Sequence, residues 1–384
     1  MTGRKFFHYG WAGGSSPRNA MKDRNEAAQA NGVGIGPLTD GGSAVNPLTE
    51  LVEGVRSRGE SGAFGFRASL RAEDADVVVL PWMWRDYVER GEVALARTLV
   101  EIAARLGKPC VIFHRSDNAA NVPFPGVVVI ETSGYASRRA AGRNEVWGLP
   151  PFLRDYVKDY CDGHLTIREK GHEPTVGFCG QAGGYPWDYS RRRLVNWFRH
   201  AMFRLGFHAW EPAPFETTAF RKRVLKRLLG ESGVRCEFLI RARYRAGYTP
   251  PVKDPWHSTR LDFVRNIRDS DYTLCMRGGG NYSVRFYETL CLGRIPIFVD
   301  TDCVLPFDDE LDYRNLCVWV DAGELEELGA RLRQFHARLS PAEFRDLQVR
   351  CRNTWVEHLE RESYLRWLAR RLGTLIVRKT NFDT

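Results

Sequence analysis

Apolar and amphipathic stretches alternate along the first half of the chain. An amphipathic stretch at 91–106 predicts a helix. Short apolar runs predict strands at 4–9, 76–80, 110–114 and 126–131. Strands that alternate with helices favour a parallel sheet with helices on both faces. We therefore expect one Rossmann-like domain at residues 1–165.

A second series of strands and helices follows a polar stretch at 162–174, where we place the domain boundary. Its predicted strands are 175–180, 235–241, 272–276, 295–299 and 316–320. The pattern predicts an α/β fold with two Rossmann-like domains facing a central cleft. The second domain is placed at 166–340 and is followed by a C-terminal helical segment at 341–384.

The segment 269–300 carries the strongest indication of function. Its sequence, DSDYTLCMRGGGNYSVRFYETLCLGRIPIFVD, runs from an apolar strand through three glycines into an amphipathic helix and a second strand. Glycines let backbone N–H groups approach a ligand closely, and a helix N-terminus near Ser283 favours phosphate. Arg277 and Arg285 flank this loop, and Glu288 lies about one helical turn beyond Arg285.

This arrangement fits a nucleoside diphosphate. The two guanidinium groups, with Gly278, Gly279 and Ser283, can donate to phosphate oxygens, while a carboxylate at Glu288 suits two vicinal ribose hydroxyls. The alternative is that the loop is a plain structural turn, because glycine-rich turns between a strand and a helix occur in many α/β proteins. An arginine and a glutamate three residues apart are also often a solvated surface pair.

The same segment resembles the C-terminal signature of exostosin-like glycosyltransferases, family 47. The residues that occupy the places of that signature are Ser283, Arg285, Glu288, Gly293 and Pro296. Residues 175–193 and 74–84 are similar, more loosely, to two other segments of the family. The resemblance implies a GT-B architecture and sugar transfer with inversion at the anomeric carbon.

Composition narrows the class of protein. The chain has 384 residues, 43% of them apolar and 12% aromatic, as expected of a folded globular protein. No apolar run approaches the length of a transmembrane helix, and the N-terminus lacks the long apolar region of a signal peptide. Nine cysteines without a C-x-x-C pair favour a reducing, cytoplasmic setting. Animal and plant members of the family are anchored Golgi enzymes, so we expect a bacterial-type enzyme here.

The net charge of +9 is concentrated in basic clusters. One is Arg191 to Arg193. Another spans 221–227, on an amphipathic helix that also carries Phe220 and Val224. Such a stretch can lie on an anionic membrane at the inner face of the cell. The alternative is a helix that packs its apolar face on the core and solvates its basic face. No motif for DNA or RNA binding is present, so nucleic acid is not expected as a partner.

Further site candidates are expected where other strands end at the cleft. Gly183 and Arg191 follow the strand at 175–180 and are expected to meet the diphosphate from the opposite side, unless this is a plain turn. Trp82 and Trp84 are candidates for stacking on a sugar ring, or simply core residues.

Inversion requires a general base on the face of the sugar away from the leaving group, which points to the first domain. Asp117 follows the strand 110–114 and is the predicted base, with His114 holding or tuning it, although His114 also fits a core histidine. The competing carboxylates are Asp40, Glu50, Asp86 and Asp188.

No metal site is predicted. Asp300 and Asp302 follow the last strand of the segment 269–300 but fit a structural turn better than the D-x-D pair of GT-A enzymes. Basic groups and a helix dipole can stabilise a departing diphosphate without a metal.

The sequence therefore predicts an inverting glycosyltransferase without a cofactor. Its donor would be a nucleotide-diphosphate sugar, with UDP as the expected nucleotide, and its acceptor a glycan or a lipid-linked glycan. The alternatives are a sugar phosphorylase or epimerase on the same architecture, and a non-catalytic protein that binds glycans or nucleic acid through its basic faces.

Overall fold

The computed structural model of the chain describes residues 4–7, 46–48, 62–69, 71–182, 186–205, 207, 210–213, 216–242 and 258–382. Strands from the first half form one sheet and strands from the second half form another. The predicted α/β fold with two Rossmann-like sheets is confirmed. Within the described ranges, no helix combines the length and the hydropathy that crossing a membrane requires.

The first sheet has the strand order β2–β3–β1–β4–β5–β6–β7, and all its neighbours are parallel except β2 and β3. The strands are β1 (Arg4–Phe7), β2 (Gly62–Ala63), β3 (Phe66–Ser69), β4 (Val77–Val79), β5 (Cys110–His114), β6 (Val128–Glu131) and β7 (Glu145–Gly148). The central strands β4, β5 and β6 are buried along their whole length. Continuous apolar runs are typical of parallel strands that are covered on both faces.

Three described helices accompany this sheet: α1 (Trp84–Glu89), α2 (Val93–Arg105) and α3 (Ala136–Ala141). The buried side of α2 consists of Ala96, Leu99 and Ala103, which are spaced three and four residues apart. Trp82 and Trp84 are buried in the same core cluster, so the core interpretation of these tryptophans is the one that applies.

The second sheet is parallel throughout and has the order β12–β11–β10–β8–β9. Its strands are β8 (Thr175–Gln181), β9 (Arg235–Arg241), β10 (Tyr272–Cys275), β11 (Ile295–Asp300) and β12 (Val318–Asp321). From β8 the chain adds one strand on one side and then crosses to the other side. This order creates a switch point between β8 and β10, where doubly wound sheets bind their ligands.

The helices that follow β7 along the chain are α4 (Tyr156–Tyr160), α5 (Pro186–Arg204), α6 (Thr217–Leu229), α7 (Ser258–Arg268), α8 (Val284–Cys291), α9 (Leu328–Arg338), α10 (Pro341–Thr354) and α11 (Arg361–Phe382), with a π-helical turn at Trp355–Leu359. Helix α11 returns to the first sheet. The Tyr364 hydroxyl donates to the Gly148 carbonyl at 3.0 Å, and the rings of Trp147 and Trp367 pack edge to face.

Some short elements were not predicted. Strand β7 has the sequence EVWG, and its first residue is exposed, so it shows no clear apolar run. Its Trp147 is covered by Trp367, more than two hundred residues later. Helix α3, ASRRAA, has no apolar periodicity at all. Both elements depend on contacts that are distant in sequence, which local patterns do not report.

Candidate functional site

The site predicted from the segment 269–300 lies at the switch point of the second sheet. Strand β10 ends at Cys275, and a loop leads through the three glycines to α8. The end of β8 lies alongside, because β8 and β10 are neighbours in the sheet. Three glycines, a helix N-terminus and the ends of two neighbouring strands thus come together at one place.

Ser283 stands at the N-terminus of α8, directly after the glycine loop. It is the N-cap residue of α8, yet its side chain makes no capping hydrogen bond. Its hydroxyl is buried and has no hydrogen-bond partner among the described residues. An unsatisfied buried hydroxyl costs about 1–3 kcal/mol, and a native site usually has a reason to retain one. A ligand oxygen at the N-terminus of α8 would provide the missing partner and would also meet free backbone N–H groups.

Arg277 lies buried at the start of the loop, with only 2% of its surface exposed. Its guanidinium donates to Asn281 Oδ1 and to the Gly279 carbonyl, each at 3.2 Å. It also reaches the Tyr135 hydroxyl of the first domain at 3.4 Å. These neutral acceptors hold the guanidinium against the loop.

A second arginine at the loop was missed in the sequence. Arg221, on α6, donates to the Arg277 carbonyl at 3.1 Å and to the Gln181 carbonyl at 3.2 Å. Thr217 of the same helix donates to the Gly278 carbonyl at 3.0 Å. The sequence places Arg221 in a basic cluster of five charged side chains, and nothing local distinguishes it from its neighbours.

Asp117 meets the loop from the first domain. Its carboxylate accepts a hydrogen bond from the Gly280 backbone. A Cβ atom built at Gly279 would lie 2.5 Å from Asp117 Oδ2, so only glycine allows this approach. Although the residue as a whole is exposed, burial of its carboxyl group raises the pKa of Asp117, against the opposing effects of the Gly280 hydrogen bond and of Arg277 and Arg221.

His114 supports the loop that carries Asp117. Its Nε2 forms a hydrogen bond with the Asn118 carbonyl at 2.9 Å, and its ring stacks on Trp210. Burial lowers the pKa of His114 to about 4, so the ring is neutral near pH 7. The hydrogen bond to Asn118 makes His114 a residue that shapes the segment after β5.

The two halves of the chain are fastened together beside the loop. Asn281 is buried and donates to the Gly134 carbonyl at 2.9 Å and to the Asp302 carbonyl at 3.0 Å. Asp302 accepts from the Ser137 backbone at 3.0 Å, and so caps the first turn of α3. Asp302, which the sequence marked as a turn residue, thus has a structural contact across the two halves.

Arg285, in the first turn of α8, reaches across to the end of β8. Its guanidinium donates to the Cys179 carbonyl at 2.6 Å, at the end of β8, and lies 4.3 Å from the centre of the Phe178 ring. Burial lowers the pKa of Arg285. The Arg285 side chain therefore lies at the switch point, where it contacts both β8 and β10.

Glu288 lies further along α8, on its buried side. Its Oε1 accepts from the Tyr156 hydroxyl at 3.0 Å and lies 3.8 Å from Arg260. Arg260 also donates to the Tyr156 hydroxyl at 2.8 Å. The carboxylate predicted to bind ribose therefore belongs to a network with α4 and α7.

A carboxyl group that the sequence did not indicate lies near the interface between the two halves. Glu131, at the end of β6, accepts from the Ala120 backbone at 2.7 Å and lines a cavity of about 360 Å³ in the first domain. Tyr135 lines the same cavity and contacts Arg277. Burial raises the pKa of Glu131 to about 7. Its position at the end of an apolar strand was the available signal.

Gly183, Asp40 and Glu50 lie outside the described residues, as do the side chains of Arg191 and Asp188. Asp86 is buried in α1, and burial raises its pKa to about 6. In the described part of the chain, no three His, Cys, Asp or Glu side chains are grouped so that they could hold a metal ion. The nine cysteines are all free thiols.

Two largely parallel sheets, a switch point and a C-terminal helix that returns to the first sheet define a GT-B type α/β protein. Residues 189–335 match the profile of the Exostosin GT47 domain. The resemblance to the exostosin-like family is therefore confirmed, and the matched region contains α6, the glycine loop and α8.

Similarity to individual proteins is limited. The chain is 34% identical over 62 residues to Exostosin-1 of Drosophila melanogaster, a match that covers 16% of this chain and 8% of Exostosin-1. Among solved structures, TarM of S. aureus in complex with UDP covers 80% of this chain and 55% of its own at 11% identity, with a TM-score of 0.33. The spinosyn rhamnosyltransferase SpnG with thymidine diphosphate covers 77% and 73% at 12% identity, with a TM-score of 0.31.

Proposed function

We propose that the protein is an inverting glycosyltransferase. It would move a sugar from a nucleotide-diphosphate sugar, with UDP as the expected nucleotide, to a hydroxyl group of a glycan or a lipid-linked glycan. The observation that carries this proposal is the group of anion-binding elements at the switch point. Ser283, the N-terminus of α8, Arg277 and Arg221 all meet the glycine loop there.

The diphosphate would bind at this loop. The hydroxyl of Ser283 and the first N–H groups of α8 would donate to its oxygens, and the charges of Arg277 and Arg221 would balance its charge. These groups are fixed before the reaction begins, so they would stabilise the negative charge that develops on the leaving diphosphate. This mechanism needs no metal ion, and we expect activity to persist in EDTA.

The acceptor would approach from the first domain. Asp117 would take the proton of the acceptor hydroxyl while that oxygen attacks the anomeric carbon. The bond between the anomeric carbon and the diphosphate oxygen would break on the opposite face, and its electron pair would leave with the diphosphate. The contact of Asp117 with Gly280 supports this assignment, because it brings a carboxylate of the first domain to the donor loop.

The role of Glu288 is proposed as recognition of the ribose. Its contacts with Tyr156 and Arg260 would fix the carboxylate. Arg285 is proposed to shape the diphosphate site from below, through the ends of β8 and β10. Gly183 and Arg191 remain proposed contacts of the diphosphate.

A thermal-shift screen across UDP, GDP, CMP and dTDP compounds tests the proposal. We expect one nucleoside diphosphate to raise the melting temperature more than its nucleoside does. Incubation of the matching sugar nucleotide with acceptor glycans should release this nucleoside diphosphate. A requirement for inorganic phosphate as co-substrate would favour a phosphorylase. Salt-sensitive binding to DNA or RNA without any affinity for nucleotides would favour a non-catalytic protein.

A further inference from the structure

Helix α5 exposes several large apolar side chains. Leu194 is 67% exposed, Trp197 68% and Phe198 58%, whereas Met202 and Phe203 of the same helix are half-buried. Leu205 and Phe207, which follow the helix, are exposed as well. The spacing of 194, 197, 198 and 205 places these side chains on one face, since residues three, four and eleven apart share a side of a helix.

Two polar side chains of α5, Asn196 and His200, contact the neighbouring segment 210–213 instead. Asn196 donates to the Ala213 carbonyl at 2.8 Å, and His200 forms a hydrogen bond with the same carbonyl at 3.0 Å. The helix is therefore anchored by its polar side. A contiguous exposed apolar face of this kind marks a surface that is covered in use.

The charge of α5 and of the residues after it indicates which partner covers the exposed apolar face. Helix α5 and the residues that follow it, 186–210, contain five arginines and a single acidic residue, Asp188. Arg199 and Arg204 lie on α5 itself and are exposed. A helix with exposed tryptophan, phenylalanine and leucine on one face and arginines beside them is the pattern of a helix that lies in the interface of an anionic bilayer. Arginine side chains can extend from such a helix to the lipid headgroups.

The next helix along the chain, α6, does not offer an exposed apolar face of this kind. It is equally basic, but Phe220, Val224 and Leu228 are buried against the core. The sequence pointed to α6 as a membrane contact, and there the alternative interpretation applies: its apolar face packs on the core. The apolar face of α6 is thus buried against the protein core, whereas the apolar side chains Leu194, Trp197 and Phe198 of α5 are exposed.

We infer that the exposed face of α5, with Leu205 and Phe207, binds an anionic lipid bilayer. The apolar side chains enter the boundary between headgroups and acyl chains, and the arginines contact anionic headgroups. This inference is independent of the proposed sugar transfer, because it depends only on the surface of α5.

Vesicle flotation with the full chain tests the inference. The probes are vesicles of phosphatidylcholine alone and of phosphatidylcholine with phosphatidylglycerol. We expect binding to the anionic vesicles to exceed binding to the neutral ones. The double variant Trp197→Ser, Phe198→Ser should bind anionic vesicles at least about tenfold more weakly, because each aromatic side chain loses its burial in lipid. Its melting temperature should stay unchanged, since both side chains are exposed in the free protein.

Two further variants sharpen the test. Leu229→Ser, at the exposed end of α6, removes a solvated apolar side chain elsewhere and should leave vesicle binding as it was. The double variant Arg199→Glu, Arg204→Glu should lose affinity for anionic vesicles by about fivefold or more for each arginine, with little change on neutral vesicles. Absence of binding to anionic vesicles would overturn the inference. So would a dimer of the wild type that the serine variant dissociates, because the face would then cover a second copy of the chain.

Discussion

The two ends of the segment 277–288 look alike in sequence and differ in their surroundings. At the first end, Arg277 is held by neutral acceptors and the Ser283 hydroxyl has no partner in the described structure. At the second end, Arg285 and Glu288 are engaged by protein groups of β8, α4 and α7. The comparison teaches that one sequence motif combines a buried hydroxyl that lacks a partner among the described residues with charged side chains that contact other elements of the protein. Contacts, not spacing, separate the two.

The largest expected effect concerns the carboxylate that faces the first end. Asp117→Asn should lower kcat by about 10²–10⁴-fold, the usual contribution of a general base, and leave donor affinity unchanged. Because burial raises the pKa of Asp117, the rate should fall with decreasing pH at a higher pH than for an ordinary aspartate. Steady-state kinetics across pH measures both effects.

Glu131→Gln provides the matched control for this variant, because it neutralises a second buried carboxyl near the interface. We expect it to keep most of the turnover. If Glu131→Gln abolished turnover and Asp117→Asn did not, the base would be Glu131.

The next effect sharpens the second end. Arg285→Ala should destabilise the protein by about 2–4 kcal/mol, because the Cys179 carbonyl loses a charged donor and the Phe178 ring loses its cationic partner. Arg265→Ala, on the exposed side of α7, removes the same charge and should change stability little. Denaturant unfolding measures both variants. A stable Arg285→Ala protein that cannot bind nucleoside diphosphate would move Arg285 to the ligand-binding end.

The sequence predicted the fold and the local elements of the segment 269–300, but not which parts of the protein its side chains contact. The strand before the glycine loop and the helix from Ser283 were found because an apolar run, three glycines and an amphipathic run are local signals. Arg221 and Asn281 were missed, because their contacts come from elements brought together only by folding.

The two basic helices show the same limit. The sequence marked the cluster at 221–227 as a surface candidate, whereas the structure exposes the apolar face of α5. A periodic pattern shows that a helix has an apolar face, but the direction of that face depends on the neighbouring elements.

A smaller effect tests whether Glu288 also meets the ligand. Glu288→Gln should weaken binding of a nucleoside and of its diphosphate equally, by about 1.5–3 kcal/mol, because both contain the ribose. Tyr156→Phe removes only the hydroxyl that contacts Glu288 and should reduce affinity much less. Calorimetric titration separates the cases. Unchanged affinity in Glu288→Gln would leave Glu288 with a purely structural role.

The smallest effect concerns stability and pH. The folded pKa of Glu131 is raised from 4.5 to about 7, so the folded state binds its proton more tightly than the unfolded state does. The stabilisation that the bound proton of Glu131 gives the folded state is complete below pH 4.5 and is lost as the pH rises through about 7. Glu131→Gln should therefore flatten the decline of unfolding free energy over this range, a change of about 1–3 kcal/mol. Identical pH profiles for the variant and the wild type would contradict the burial of this carboxyl.

The central claim is that the first end of the segment binds a diphosphate. Its most direct test is calorimetric titration of wild type, Ser283→Ala and Arg277→Ala with the nucleoside diphosphate that gives the largest thermal shift, and with its nucleoside. Ser283→Ala should leave the free protein as stable as before, since the hydroxyl has no partner there. Both variants should weaken binding of the diphosphate, by about 1 kcal/mol for Ser283 and about 1.5–3 kcal/mol for Arg277, with the nucleoside unaffected. Equal losses for both ligands, or no binding of any nucleoside diphosphate to the wild type, would contradict the claim.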